Sequence, residues 1–229
     1  MKSKLAHIIA ITSGRDETGK TKLLLNLARK MSIKNKKVLI VDTDMNLSPI
    51  DELLDVNPEY TLNNLLDKEI TADKLLHNGP DGIKILSAAT GDILVKQNIK
   101  KYQQLLIHTY IGLRDKFDYI LINTNACISH DSLDFLIAAD KIVIVTTSEP
   151  SSITDTYAII KVLFFRAKKP KIAIIVNKPA NSEEAKAIYD KIELIVQHFL
   201  NEKIQSFGFV INEDDYSDIV ESIEGCDIP

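Results

Sequence analysis

Short apolar runs alternate with amphipathic segments along most of the chain. The runs are rich in Ile and Val and are continuous, which is typical of strands that are buried on both faces of a sheet. They predict strands over Ala6–Ser13, Val38–Asp42, Ile83–Ser87, Tyr119–Thr124, Ile142–Thr147, Ile172–Asn177 and Ser206–Ile211. The segments between them predict helices over Thr21–Met31, Leu94–Arg114, Ser132–Ala138, Ser151–Phe165, Ser182–Phe199 and Tyr216–Ile223. This alternation predicts an α/β fold, a doubly wound and mostly parallel sheet of about seven or eight strands with helices on both faces.

Residues 48–80 interrupt the alternation. They contain Pro49, Pro58 and the pair Gly79-Pro80, and they lack a long apolar run. We therefore expect short helices in a surface excursion, not a second domain. A length of 229 residues suits the resulting prediction of one domain over residues 1–229.

Composition and charge narrow the class of protein. Apolar residues make up 45% of the chain and charged residues 26%, as in soluble globular proteins. No apolar run is long enough to span a bilayer, and no signal peptide is visible. Cys127 and Cys226 form no CxxC pair and are expected to be reduced thiols in the cytoplasm. The net charge of −4 gives no strong nucleic-acid signal.

The first predicted strand is followed by the pattern Gly14-x4-Gly19-Lys20-Thr21, and a helix begins directly after it. A loop between a parallel strand and a helix points backbone N–H groups and the positive end of the helix at an anion. Lys20 can reach the β- and γ-phosphates of a nucleotide, and Thr21 can offer its hydroxyl to Mg²⁺. The pattern predicts a P-loop nucleotide-binding domain.

Polar side chains also follow two later strands. Asp42 and Asp44 end the second strand, where they either hold Mg²⁺ and orient an attacking water or act as local hydrogen-bonding residues of a turn. The residues alone leave both alternatives open. Asn123 ends the strand Tyr119–Thr124, where P-loop proteins have an acidic residue that supports Mg²⁺. An amide brings no charge, so we expect weaker metal support there.

In this order, the motifs resemble the MinD/ParA family of deviant P-loop ATPases, and within it the FlhG-type flagellar regulators. The resemblance covers nearly the whole chain. The matching stretches are Ile9–Gly14, Gly19–Thr21, Val41–Asp44, Phe117–Ile122, Ala139–Asp155, Ala158–Leu163, Ile175–Asn177 and Phe207–Val210.

The resemblance implies an ATP-dependent homodimer with ATP and Mg²⁺ as cofactors. Asp44 would position the attacking water, Asn177 would read the adenine edge, and Arg15 would replace the lysine that crosses to the partner's phosphates. The catalytic set is thus Asp44, Arg15 and Lys20. The nucleotide would be held by Gly14, Asp16, Glu17, Thr18, Gly19, Lys20, Thr21 and Asn177. The metal would be held by Thr21, Asp42 and Asn123.

FlhG relatives control the number and placement of flagella. The resemblance thus implies a flagellar assembly or GTPase partner and a cytoplasmic protein whose membrane contact would be made through that partner. FlhG relatives often carry an N-terminal activating helix and a C-terminal amphipathic helix, and we see neither pattern in this sequence.

The departures from the family fall on the catalytic parts. Asp16 and Glu17 stand where the family has two glycines, and Asn123 replaces an aspartate. At about 6 Å and an effective dielectric of about 20, each carboxylate near a phosphate costs about 2–3 kcal/mol. Ion pairs with Arg15 or Lys20 would offset part of that cost. We therefore expect slow or absent hydrolysis.

Three alternatives remain on the sequence alone. The first is a pseudo-ATPase that acts as a protein-interaction module. The second is a ParA-like partition protein that binds DNA, against which the pI of about 5.8 weighs. The third is a metabolic P-loop enzyme, for which His130 and Asp131 are the candidate acid/base pair, although adjacent helical residues point apart.

Overall fold

The computed structural model describes residues 5–43, 49–56, 58–66, 70–88, 98–126, 130–211 and 216–225. The strands are β1 His7–Ser13, β2 Val38–Asp42, β3 His77–Asn78, β4 Lys84–Ser87, β5 Tyr119–Asn123, β6 Lys141–Thr146, β7 Ile172–Asn177 and β8 Gln205–Val210. The helices are α1 Lys20–Ile33, α2 Pro49–Leu54, α3 Leu62–Leu66, α4 Ile99–Gly112, α5 His130–Ile137, α6 Pro150–Arg166, α7 Ser182–Leu200 and α8 Ser217–Glu224. Short 3₁₀ turns lie at Ala72–Leu75 and Pro80–Gly82.

The strands form one eight-stranded sheet in the order β3-β4-β2-β5-β1-β6-β7-β8. All neighbouring strands are parallel except β3, which pairs antiparallel with β4. β1 lies in the middle, between β5 and β6. The doubly wound, mostly parallel sheet predicted from the sequence is confirmed.

Both faces of the sheet are buried, which explains the continuous apolar runs. Side chains alternate along each strand, so Ile8 and Ala10 pack on one face while Ile9 and Ile11 pack on the other. Buried residues of α4, α5, α6 and α7 cover the first face. Buried residues of α1 and α8 cover the second. The helices therefore lie on both faces, as predicted.

Three details differ from the sequence expectations. β3 was missed because it consists of only two residues, His77 and Asn78, at the edge of the sheet. With β3 included, the strand that ends at Asn123 is the fifth in the chain, whereas it was the fourth of the predicted strands. The helix expected at Leu94–Arg114 spans Ile99–Gly112, and residues 94–97 lie outside the described part. The predicted short helices of the excursion are α2 and α3.

This topology gathers the carboxyl ends of the central parallel strands at one edge of the sheet, where ligands of such sheets bind. The loop after β1 lies there, beside the ends of β2, β5, β6 and β7. In the described residues, no helix is long and apolar enough to cross a membrane.

Candidate functional site

The loop between β1 and α1 leaves the start of the helix open. Gly19 precedes α1 with φ +79°, a left-handed conformation that favours glycine. A Cβ at this position would lie 2.6 Å from the amide nitrogen of Asn177. In the described part, no side chain caps the first turn of α1 and that turn has no acidic residue. The positive end of the helix is thus suited to an anion.

Lys20, the first residue of α1, points into the edge of the sheet. Its side chain is buried, with 8% relative exposure. The ammonium group donates to Asn123 Oδ1 at 2.9 Å and to the backbone carbonyl of Thr124. Thr21 Oγ1 lies 3.5 Å from the same Asn123 oxygen, at the limit of a hydrogen bond. The ammonium and hydroxyl that the P-loop pattern requires therefore lie side by side.

Asp42 and Asn123 form a buried pair next to these groups. They are register partners at the ends of β2 and β5. Asn123 Nδ2 donates to Asp42 Oδ1 at 3.1 Å, and Asp42 Oδ2 accepts from the backbone N–H of Ile50 at 3.1 Å. Thr43 donates its N–H and its hydroxyl to the carbonyl of Asn123. The partners of the Asp42 side chain lie 81 and 8 positions away in the chain, so these bonds are not those of a local turn, and the metal role of Asp42 stays a prediction.

Asn177, at the end of β7, lies against the other side of the loop. Its side-chain nitrogen donates to the carbonyl of Thr18 at 2.7 Å, and both residues are buried. This bond fixes the backbone just before Gly19. Reading of the adenine edge by Asn177 stays a prediction.

Arg15 points towards the start of α6. Its guanidinium pairs with Glu149 at 2.8 Å, lies 3.8 Å from Asp155, and donates to Ser151 Oγ. The loop also approaches this helix closely, because a Cβ on Gly14 would lie 2.4 Å from Asp155 Cβ. We expected Arg15 to neutralise the loop carboxylates Asp16 and Glu17, but its main contacts are with Glu149 and α6.

Asp16 and Glu17 are exposed at the tip of the loop. Glu17 has φ +63°, so it holds a conformation that glycine adopts more easily. The tip borders a cavity of about 380 Å³. Its lining residues are Arg15, Asp16, Glu17, Thr18, Thr147 and Glu149.

The donor set fits a nucleotide and a hard cation. Lys20 and the open helix end supply positive charge for phosphate oxygens. The Thr21 hydroxyl and the Asp42 carboxylate are oxygen ligands of the kind that Mg²⁺ prefers. Among the described residues, no cluster of three or more His, Cys, Asp or Glu side chains forms a separate metal site.

The structure therefore groups the site residues in three sets. Lys20, Thr21, Asp42 and Asn123 lie together, Thr18 and Gly19 contact Asn177, and Arg15 contacts α6. Asp44 lies outside the described residues, as do Cys127, Cys226 and the side chains of His130 and Asp131.

The sequence reasoning missed the partners of Arg15. Glu149, Ser151 and Asp155 fall in a stretch that matches the family, but spacing gave them no role. They lie more than 130 residues from Arg15 in the chain, as the separations of 134 and 136 residues to Glu149 and Ser151 show. Only the pairing of β1 with β6 brings them together.

Comparison with known proteins, like the geometry of the site, indicates a nucleotide-binding domain. The chain is 28% identical over 204 residues to the antiactivator FleN of Pseudomonas aeruginosa, covering 89% of this chain and 73% of FleN. It is 31% identical over 186 residues to the flagellum site-determining protein YlxH of Helicobacter pylori, covering 80% of this chain and 62% of YlxH. The chain thus spans less than two thirds of the length of YlxH.

A solved structure shows the same fold. The septum site-determining protein MinD of Pyrococcus horikoshii, complexed with Mg-ADP, superposes with a TM-score of 0.71 at 23% identity, covering 95% of this chain and 86% of that one. The model of the CobQ/CobB/MinD/ParA nucleotide-binding domain matches residues 9–224. The chain therefore belongs to the CobQ/CobB/MinD/ParA family of nucleotide-binding domains, as its motifs and its sheet indicate.

Proposed function

We propose that this protein is an ATP-binding regulator of the MinD/FlhG type. ATP and Mg²⁺ join two copies of the chain, and slow hydrolysis separates them. The observation that carries the proposal is the buried Lys20 at the open start of α1, beside Thr21 and the ends of β2 and β5. The flagellar role is supported by the similarity to YlxH, a flagellum site-determining protein.

Each part of the site has a role in this proposal. The loop backbone and Lys20 bind the phosphates, and Asn177 binds the base. Thr21 and Asp42 would hold Mg²⁺, and the Asn123 amide would support the metal without adding charge. When bound, the metal neutralises charge that develops on the phosphates. Asp44 positions the attacking water.

Arg15 gives the proposal its link between two subunits. It would leave Glu149 and reach the phosphates of the partner subunit, for which a guanidinium fork is suited. Its present ion pairs lie at the surface, with side-chain exposures of 38% for Arg15 and 67% for Glu149. Exposed ion pairs contribute about 0–1 kcal/mol to stability, so replacing the contact with Glu149 by a contact with phosphate costs little free energy.

Slow hydrolysis follows from the substitutions. Asn123 lacks the negative charge of an aspartate, so the metal is held by fewer charges. Asp16 and Glu17 add negative charge to the loop. We therefore expect ATP hydrolysis, and not the release of nucleotide, to limit the rate of turnover.

Absolute mass by light scattering tests the switch. In Mg-ADP the protein should have the mass of one chain, and in Mg-ATP the mass of two, because only the γ-phosphate favours the dimer. A Lys20→Ala variant in Mg-ATP is the matched control and should stay monomeric. Equal masses in ADP and ATP would contradict the switch.

The flagellar role needs a separate test. Deleting the gene in its source organism should change the number or position of flagella seen by electron microscopy. Return of the wild-type gene should restore them, whereas the Lys20→Ala gene should not. Unchanged flagella after deletion would contradict this part of the proposal.

A second candidate is a pseudo-ATPase that acts as a protein-interaction module. Two observations favour it. Arg15 forms its ion pair within its own chain, and Asn123 stands in place of a carboxylate. It predicts a monomer in both nucleotides and no phosphate release. Single-turnover measurement with radiolabelled ATP separates it from the first candidate, which requires slow but measurable release.

A further inference from the structure

Three segments meet at the side chain of Asn123. Its amide nitrogen donates to Asp42 at the end of β2, and its amide oxygen accepts from Lys20 at the start of α1. Asp42 in turn accepts from the N–H of Ile50 in α2. We call Lys20, Asn123 and Asp42 the amide junction. It connects the start of α1 with the end of β2 and, through the N–H of Ile50, with α2.

An amide makes both side-chain contacts at once, whereas a carboxylate cannot. Lys20 needs an acceptor and the carboxylate of Asp42 needs a donor, and Asn offers one of each. An ionised aspartate at position 123 would accept from Lys20 but would set two carboxylates about 3 Å apart. Asp42 has 0% exposure and Asn123 has 2%, so water would not screen that repulsion. The asparagine is matched to its neighbours.

The charge of the junction follows from the same contacts. With an ammonium at Lys20 and a carboxylate at Asp42, the three side chains of the junction carry no net charge. A second carboxylate would make the junction negative and would require a cation to accept a phosphate. Asp16 and Glu17 do not change this comparison, because they are exposed at the tip of the loop.

We propose that Asn123 is a positioning residue that assembles Lys20 and Asp42 before nucleotide binds, and that nucleotide binding consequently depends little on Mg²⁺. The weak dependence of nucleotide binding on Mg²⁺, which we call the metal half, rests on the proposed function. The positioning role of Asn123 does not, since it concerns the protein without ligand.

Thermal unfolding without nucleotide tests the assembly. Asn123→Asp and Asp42→Asn should each lower Tm. The first sets two carboxylates together, and the second turns an amide NH₂ towards one of the two donors that Asp42 accepts from, Asn123 Nδ2 or Ile50 N–H. The double exchange Asp42→Asn with Asn123→Asp should recover most of the loss. In that protein the amide at position 42 would donate to the carboxylate at position 123 and accept from the N–H of Ile50. The carboxylate at position 123 would in turn accept from Lys20.

A control sets the specificity of this rescue. Asn177→Asp alters another buried strand-end asparagine, whose amide donates to a carbonyl. Asp42→Asn should not rescue it. If a single variant fails to fold, a double exchange that folds supports the assembly, and one that also fails to fold overturns it. A double exchange as unstable as the sum of its single variants would overturn the assembly.

Binding of a fluorescent ATP analogue tests the metal dependence. For the wild type, replacing Mg²⁺ by EDTA should weaken Kd by less than about tenfold, the effect of a modest electrostatic difference. For Asn123→Asp, which adds a second carboxylate to the junction, the loss should be at least about tenfold greater, whereas the double exchange keeps the charge of the junction and should behave like the wild type. A larger loss in the wild type, or equal losses in the wild type and Asn123→Asp, would overturn the metal half.

Failure of the proposed function has a different signature. If none of these proteins binds the analogue with or without Mg²⁺, the proposed function and the metal half both fail. The melting series still decides the assembly of the junction by itself.

Discussion

Lys20 and Arg15 are two cationic residues of one loop that lie in opposite environments. Lys20 is buried and bonded to the end of β5, whereas Arg15 is partly exposed and bonded to α6. A buried ammonium is fixed in place before a ligand arrives. An exposed ion pair is exchanged easily. The first arrangement suits a permanent phosphate ligand, and the second suits a contact that changes between states.

Lys20→Ala should abolish nucleotide binding, because it removes the buried cation at the open helix end. It should also cost about 1–3 kcal/mol of stability, since the oxygens of Asn123 and Thr124 lose their donor. Isothermal titration calorimetry with ADP measures the binding after a melting curve shows that the variant is folded. Lys30→Ala, on the last turn of the same helix, should bind normally. Tight binding by Lys20→Ala would mean that the loop is not the site.

Arg15→Ala should prevent the ATP-dependent dimer while changing stability by no more than about 1 kcal/mol, because its ion pairs lie at the surface. Arg29→Ala is the matched control, since Arg29 makes a similar exposed pair with Asp81 at 2.7 Å. It should leave the dimer intact. Light scattering in Mg-ATP measures both variants, and a full dimer from Arg15→Ala would exclude a role between subunits.

Among the helices and strands, two helices at the same edge of the sheet begin differently. α7 begins with Asn181, whose side chain accepts from the N–H of Glu184 at 2.8 Å. The carboxylate of Glu184 accepts in return from Ala180 N. The side chain of Asn181 thus caps one N–H of the first turn of α7. In the part of the chain that the structure describes, α1 begins at Gly19 without a side-chain cap, and such a helix start suits an anion.

Helix α4 offers a test of buried hydroxyl groups. Burial raises the pKa of Tyr110 well above its usual value, so its hydroxyl stays protonated, and among the described residues this group has no hydrogen-bond partner. Tyr110→Phe should therefore leave stability unchanged or raise it by about 1 kcal/mol. Tyr102→Phe on the same helix should lower it by about 1 kcal/mol, because Tyr102 donates to Asn63 at 2.6 Å. Urea unfolding measures both, and the opposite order would contradict this account.

In the molecule as a whole, the order β2-β5-β1-β6-β7 builds the site. Loop residues, strand ends and the start of α6 come from all parts of the chain and meet at one edge. Because the site joins so many elements, a ligand that binds there stabilises the whole fold.

Mg-ADP at about 100 times its Kd should raise the free energy of unfolding by about 2.7 kcal/mol. For a chain of this size, that corresponds to an increase in Tm of about 5–10 °C. Differential scanning calorimetry measures the shift. Lys20→Ala should show none, and an equal shift in that variant would place the ligand elsewhere.

The elements, the phosphate-binding loop and the family could all be predicted from the amino-acid sequence. Of the eight strands in the described residues, the apolar runs predicted seven to within about two residues, because burial on both faces leaves a continuous pattern that needs no tertiary information. The loop pattern located Lys20 and Thr21, because a phosphate site built from one turn is local in the chain.

Which side chains meet could be learned only from the three-dimensional fold. Asn123 was read from the sequence as the loss of a charge, whereas in the fold it is the donor that its register partner Asp42 requires. These two residues are 81 positions apart, and Arg15 is 134 positions from Glu149. Periodicity reports which face of an element is buried, but it does not report which strands are neighbours. The order of strands in the sheet sets those contacts, and the packing of the whole chain determines that order.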